Sequence, residues 1–168
     1  SVVYSVDDNF TTNFMTLLSR LPIFPLYYKG TTRFAPIHCS DLTDTIYYII
    51  SKNIHSKLVE CIGPEIYSLK DMLKKLLKLI NKNRLLIPMP YFAANLSAKI
   101  FQLFPKPLLT VDQLILLKYD NIPSNKYQTN SDIGSPSTRI FEQEVEKYCY
   151  MWKESGQFST KKYRPNKS

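Results

Sequence analysis

Apolar and polar positions change their period several times along this chain, and each change marks an element. Ser1-Val2-Val3-Tyr4 is a short run of β-branched and aromatic residues and predicts a buried strand. Asp7-Asp8-Asn9 then opens a helix to about Arg20, with Phe10, Phe14, Leu17 and Leu18 on one side. Leu21 to Tyr28 contains Pro22 and Pro25, so it predicts an extended linker with at most an edge strand. Gly30 supplies a turn, Phe34 to Cys39 a strand, and Asp41 an N-cap for a helix from Leu42 to Ile54. Its apolar positions are Leu42, Ile46, Ile49 and Ile50. Lys57 to Ile62 predicts the next strand, closed by Gly63-Pro64. Ser68 caps a helix from Leu69 to Ile80, where Asp71 makes an acidic near-match to a capping box. Leu85 to Pro88 is a short extended piece, and a helix from Tyr91 to Phe104 ends at Pro105 and Pro107. Thr110 and Gln113 form a capping box that opens a helix to Lys118. Past Asn121 the chain turns polar, with order expected only from Phe141 to Trp152.

Strands alternating with helices predict an α/β fold with a parallel sheet. Ser1–Tyr4 and Lys57–Ile62 are expected to be neighbours in that sheet. Two strands alone leave open edges, so the remainder of the sheet is expected in a missing front half of the same protein. The expected division is residues 1–125 as sheet and helical lobe, and 126–168 as a basic polar tail with a short helix near 141–152.

Composition narrows this little. With 168 residues and 44% hydrophobic content the chain can fill one core. Lys70, Lys99, Lys106 and Asp112 interrupt the apolar stretches, so no transmembrane segment is expected. Cys39, Cys61 and Cys149 are odd in number and widely spaced, which reads as buried thiols in place of a disulfide frame or zinc site. The formal net charge of +8 is dispersed. Lys70, Lys74, Lys75 and Lys78 lie opposite the stripe of Leu69, Met72, Leu73, Leu76, Leu77 and Ile80, and another cluster (Lys161, Lys162, Arg164, Lys167) lies in the tail. A solvated helix face accounts for the first. Attraction to an acidic partner or an anionic membrane surface is the sharper alternative.

Four segments carry a resemblance. They are Ser1-Val2-Val3-Tyr4 followed by Asp8-Asn9-Phe10; Arg33-Phe34-Ala35-Pro36-Ile37, continuing to His38 and Asp41; Gly63-Pro64-Glu65 with Tyr67-Ser68; and Pro105 to Gln113 leading to Lys118, Asp120 and Asn121. In this order they resemble the C-terminal part of atypical and extended short-chain dehydrogenase/reductases. The branch is that of the NAD(P)H-binding accessory subunit of respiratory complex I and its bacterial relatives. The likeness covers Ser1 to about Ile122, roughly three-quarters of the chain. It implies the last strands of a Rossmann-like parallel sheet with a small, mostly helical substrate-side lobe. It further implies that Ser1, Val2 and Val3 end the strand passing the nicotinamide of a bound NADP or NAD, and that Arg33 meets a substrate phosphate. Ser5 stands where the family has glycine. The glycine-rich loop that would cradle the pyrophosphate is not among these residues, so the isolated chain is expected to hold no cofactor and to catalyse nothing.

Physical chemistry supplies plainer readings of the same side chains. Arg33 suits a phosphate by its guanidinium fork, and suits an ion pair equally. His38 has no second ligand at metal spacing and reads as a packed histidine. Tyr48 and Lys52 spell the Tyr-x-x-x-Lys pair of dehydrogenases, but on a helix after the strand they should precede, so the spacing is that of any amphipathic helix. No catalytic or metal site is expected.

Three functions follow as expectations. The first is the C-terminal part of a non-catalytic accessory or assembly factor of respiratory NADH dehydrogenase. It would sit in the cytoplasm or on the inner face of an energy-transducing membrane, with peripheral contact at most. The second is the substrate-binding half of an active NAD(P)-dependent reductase or sugar-nucleotide epimerase. The third is a basic adaptor for an anionic surface, with nucleic acid not expected as the partner.

Overall fold

A computed structural model describes residues 1–55, 57–89 and 115–153 of the chain. The helix expected over Tyr91–Phe104, the capping box at Thr110 and the basic cluster from Lys161 onward lie outside those residues. The described part is mixed α/β. Its elements are β1 (Val3–Tyr4), α1 (Thr11–Arg20), β2 (Ile23–Leu26), β3 (Arg33–Phe34), β4 (Ile37–His38), α2 (Cys39–Ser51), β5 (Val59–Glu60), β6 (Tyr67–Ser68), α3 (Leu69–Leu79), β7 (Leu85–Pro88), β8 (Gln128–Thr129) and α4 (Phe141–Glu146).

The described strands form four two-stranded sheets. Three pairs are parallel: β1 with β4, β2 with β7, and β5 with β8. The fourth, β3 with β6, is antiparallel. The expected neighbours of the opening strand are therefore corrected. Tyr4 pairs with His38, whereas Val59 and Glu60 pair with Gln128 and Thr129. Both partners were hidden from pattern reading for a physical reason: two-residue strands are too short to show a period of two. The run from Phe34 to Cys39 also divides, because Ala35 and Pro36 leave the ladder between β3 and β4.

Local chemistry sets the helix ends. The Asp8 carboxylate accepts from the N–H groups of Phe10 (2.6 Å) and Thr11, so the acidic start of α1 acts as expected. Arg84 closes the other end, donating from Nε to the Leu18 carbonyl at 3.1 Å and from a terminal nitrogen to that of Ser19 at 3.2 Å. Ser68 accepts from the Asp71 N–H at 3.1 Å and donates its hydroxyl proton to the Asp71 carboxylate at 2.6 Å, which fixes the start of α3. Before β3, Tyr28, Lys29 and Gly30 are all left-handed, with φ of 48°, 59° and 72°. A Cβ at Gly30 would lie 2.9 Å from that of Lys70, so the turn requires glycine twice over.

Asp41 is a correction. The N-cap of α2 is His38, whose Nδ1 accepts from the Ser40 N–H at 3.2 Å. Asp41 lies inside the first turn, 4% exposed, where its carboxylate receives the backbone N–H of Arg139 at 3.0 Å and the Arg139 guanidinium. An aspartate in this position reads as a cap by sequence because its true partner lies 98 residues away.

The core joins α1, β2 and α3 through Phe14, Leu18, Phe24, Leu73, Leu76 and Ile80. Phe141, Val145, Tyr148 and Cys149 close it from the far end of the chain, with α4 against α3. Trp152 Nε1 donates to the Thr16 hydroxyl at 2.9 Å. The polar residues 122–140 are built into the fold as well. Asn130 is buried, and its side chain accepts from the Ile62 N–H at 3.0 Å and donates to the Ser135 carbonyl at 3.1 Å. Among the described residues no helix is long and apolar enough to cross a membrane.

Candidate functional site

The three strand segments of the resemblance, together with Asp120 and Asn121, meet at β3. Phe34 pairs with Tyr67 on one side and bridges to Asn121 on the other. The Asn121 N–H donates to the Arg33 carbonyl at 2.7 Å, and the Asn121 carbonyl accepts from the Ala35 N–H at 3.2 Å. Ser1 adds a third strand end, its hydroxyl donating to the Asn121 carbonyl at 2.8 Å and accepting from Ala35 N–H at 3.1 Å. Gly63 completes the node, donating its N–H to the Ala35 carbonyl at 3.0 Å. A Cβ on Gly63 would lie 1.7 Å from the Pro36 carbonyl oxygen, so only glycine allows this approach.

Beside the node is a cavity of about 260 Å³. Val2, Phe10, Phe14, Phe34 and Leu117 give it an apolar floor, with Asn9, Asn13 and Asp120 among its polar atoms. The start of α1 positions four of these side chains at helical spacing: Phe10 and Phe14 stack edge to face with centroids 5.0 Å apart, and Asn9 and Asn13 occupy the adjoining row. Phe10 also lies 5.5 Å from Phe34. Such a pocket can hold an apolar or aromatic group and offer amide hydrogen bonds at its rim. Among the described residues that line it there is no nucleophile–base pair. Among the described residues no group of three or more His, Cys, Asp or Glu could hold a metal ion.

The residues named from the sequence separate here. Val2 lines the cavity. Ser1 is spent on the node, and Val3 is exposed on β1. Arg33 is 55% exposed, and its guanidinium forks onto the Asp120 carboxylate, with Nε at 2.9 Å and a terminal nitrogen at 2.8 Å. The Arg33 backbone N–H donates to the other oxygen of Asp120 at 2.8 Å. Those bonds from Arg33, backbone first, hold the Asp120 carboxyl below its ordinary range. The fork that suits a phosphate already has a carboxylate in it.

His38 stands over Tyr4, with ring centroids 5.2 Å apart, and its Nε2 lies 4.0 Å from Glu144. Burial pushes its pKa below the usual histidine value, against an upward pull from Glu144. Burial likewise raises the Tyr4, Cys61 and Cys149 pKa values, so these groups stay protonated at neutral pH. Lys52 Nζ lies 5.9 Å from the Tyr48 ring centroid, and the Tyr48 hydroxyl crowds Gly134, away from the cavity lining.

Sequence reasoning missed Asn9, Asn13 and Arg139. The first two were open to it, since they fall one turn apart beside Phe10 and Phe14. Arg139 carried no such signal, because nothing local distinguishes it from other basic residues of the polar stretch. No protein-family model matches the chain, and no curated protein matches it.

Proposed function

We propose that these residues form the C-terminal part of an NAD(P)-binding protein of the short-chain dehydrogenase/reductase type, acting as an accessory or assembly factor of respiratory NADH dehydrogenase and not as a catalyst. The observation that carries this reading is the node at β3. Ser1, Arg33–Pro36, Gly63, Tyr67–Ser68 and Asp120–Asn121, scattered over the sequence, bond to one another directly. Two further features support it. Two-stranded parallel pairs are seldom stable without more strands and cover on both faces. Moreover α2, which packs against β1 and β4, leaves Ile46 and Ile50 exposed, as a helix would whose covering half comes from elsewhere. Cofactor would be held by that other half, with NADP or NAD passing the cavity at Val2.

The test is calorimetric titration of NADPH and NADH into this chain alone and into the chain joined to a glycine-loop half encoded upstream. The joined protein should bind, should show no turnover, and should co-migrate with NADH dehydrogenase on native gels of solubilised membranes. Micromolar binding by the chain alone would remove the reading. A second reading, the substrate-binding half of an active reductase or epimerase, draws on the cavity itself. Hydride exchange by the joined protein would favour it.

A further inference from the structure

The cavity beside the β3 node has a fixed shape and an unused polar edge. Two of its walls are tied down. On one side the Asp8 carboxylate holds the first turn of α1, accepting from the Phe10 N–H at 2.6 Å, and so places Phe10 and Phe14. On the other, Phe34 is locked in β3 between Tyr67 and Asn121. Phe14, Phe34 and Leu117 form the floor, each only 4% exposed. Asn9, just before α1, and Asn13, in its first turn, line the same cavity four positions apart. Neither carboxamide has a hydrogen-bond partner among the described residues. The only charged side chain among the described residues of the lining is Asp120, which Arg33 holds ionised with bonds of 2.8 and 2.9 Å.

We propose that this cavity binds an uncharged, flat, two-ring heteroaromatic molecule whose edge carries a hydrogen-bond donor and an acceptor side by side. Size sets the number of rings. A dry apolar cavity of about 150 Å³ takes one benzene ring, and this one measures about 260 Å³. Flatness follows from the walls: Phe10 meets Phe14 at 84° and Phe34 at 57°, so a planar guest finds a ring face or a ring edge whichever way it lies. The free amides set the polar edge. A carboxamide presents C=O and NH₂ together and pairs with an adjacent donor and acceptor, as asparagine does with adenine in DNA. An acyl chain would fill the floor and leave both amides unmatched. Charge excludes the remaining candidates. Arg33 and Asp120 neutralise each other, so an ion entering over this apolar floor would lose hydration and meet no free counter-charge. The inference rests on the cavity alone and holds whether or not a second half carries a dinucleotide.

The experiment is calorimetric titration of 2-quinolone into the full chain. This probe has two fused rings, no charge, and a lactam N–H beside its C=O. Binding should be saturable, with a single molecule per chain. Quinoline has the same rings without the lactam edge and should bind about tenfold more weakly, the lower end of what a bidentate amide pair contributes. A quinoline carboxylate should not bind measurably. Asn9→Ala/Asn13→Ala should lower the affinity for the lactam to that for quinoline and leave the affinity for quinoline unchanged. Asn83→Ala removes an exposed amide from the groove beside α3 and should change neither. Alanine favours a helix more than asparagine does, so the double variant keeps α1, which circular dichroism checks. Absence of saturable lactam binding would overturn the proposal, as would equal affinity for quinoline or tighter binding of the carboxylate. An unchanged lactam affinity in the double variant would also overturn it. None of these outcomes involves NADPH, so the family reading stands or falls separately.

Discussion

Helices α2 and α3 are of similar length, and both carry an apolar stripe, yet the fold treats them oppositely. Every apolar residue of α3 faces the core, and its polar face is a row of lysines. On α2, the more apolar of the two, Ile46 is 50% exposed, Tyr47 73% and Ile50 68%, while the residues it buries are Asp41 and Thr45. Thus α3 is held by area removed from water. In contrast α2 is held by directed bonds: the Asp41–Arg139 pair, a second contact from Arg139 to Asp44 at 2.9 Å, and the Ser135 hydroxyl to that of Thr45 at 3.3 Å. One helix belongs to a finished core. The other has a polar seam toward this chain and an apolar face with no cover among the described residues.

The contrast predicts the largest effect on α3. Leu73 is fully buried in the core where α3 packs on α1, and Leu73→Ala should cost about 2–5 kcal/mol through lost transfer energy and an unfilled cavity. Urea denaturation monitored by circular dichroism reads this directly. A cost near that of a surface substitution would mean the core collapses around the gap, and the two helices would be less different than their burial suggests.

Next in size is the polar seam. Asp41→Asn keeps the shape but removes the charge that Arg139 meets. It should cost about 1–3 kcal/mol, the usual penalty for a stranded hydrogen-bonding group. Arg139→Ala should cost more, because Asp41 is 4% exposed and would be left as a buried charge without its cation, whereas Arg139 can turn to water. Thermal melts of both variants test the order, and the reverse ranking would show that the seam is not held by charge.

Much of α3 was legible because its physics is local. A 3.6-residue stripe, a serine cap and the core face all appear within twelve residues. For α2 the same rules gave the helix but the wrong cap and the wrong buried face, since Arg139 and Ser135 decide both from the far end of the chain. The site divides in the same way. Phe10 and Phe14 stand at readable spacing, whereas the pairing of Arg33 with Asp120 spans 87 positions and leaves no local mark. The parallel sense of the sheet was legible, and three of the four described pairs have it, but the partner of the opening strand was not, because its strands are two residues long.

A smaller effect should appear with pH at the junction of β4 and α2. His38 caps α2 only while its Nδ1 is unprotonated, because a protonated ring has no acceptor to offer the Ser40 N–H. Burial sets the folded pKa below the unfolded one, so this contribution is complete above about 6.5 and is lost as pH falls through the lower folded value. Glu144 and Asp41 oppose the loss, and Arg139 and Lys147 add to it. The change should be about 1 kcal/mol, the usual worth of a cap. His38→Asn supplies a cap that does not titrate, and chemical denaturation across this range should then show a flatter profile. An unchanged slope would assign the pH dependence to other groups.

The smallest effect on stability falls on the uncovered face of α2, and there it is the more informative for being small. Ile50 is 68% exposed, so Ile50→Ser removes little buried area and should alter the unfolding free energy of this chain by no more than about 0.5 kcal/mol. Ile46, one turn away and half-exposed, should behave alike. Both changes should nonetheless reduce self-association in analytical ultracentrifugation, because an aliphatic patch without cover is the surface on which copies stick. In a protein that supplies the covering half, the same Ile50→Ser should cost as much as a core substitution. The effect of one residue would then move from negligible to about 2 kcal/mol with the partner present. A value that stays negligible in both settings would mean that α2 faces water by design, and the unfinished-fold interpretation would have to rest on the strand edges alone.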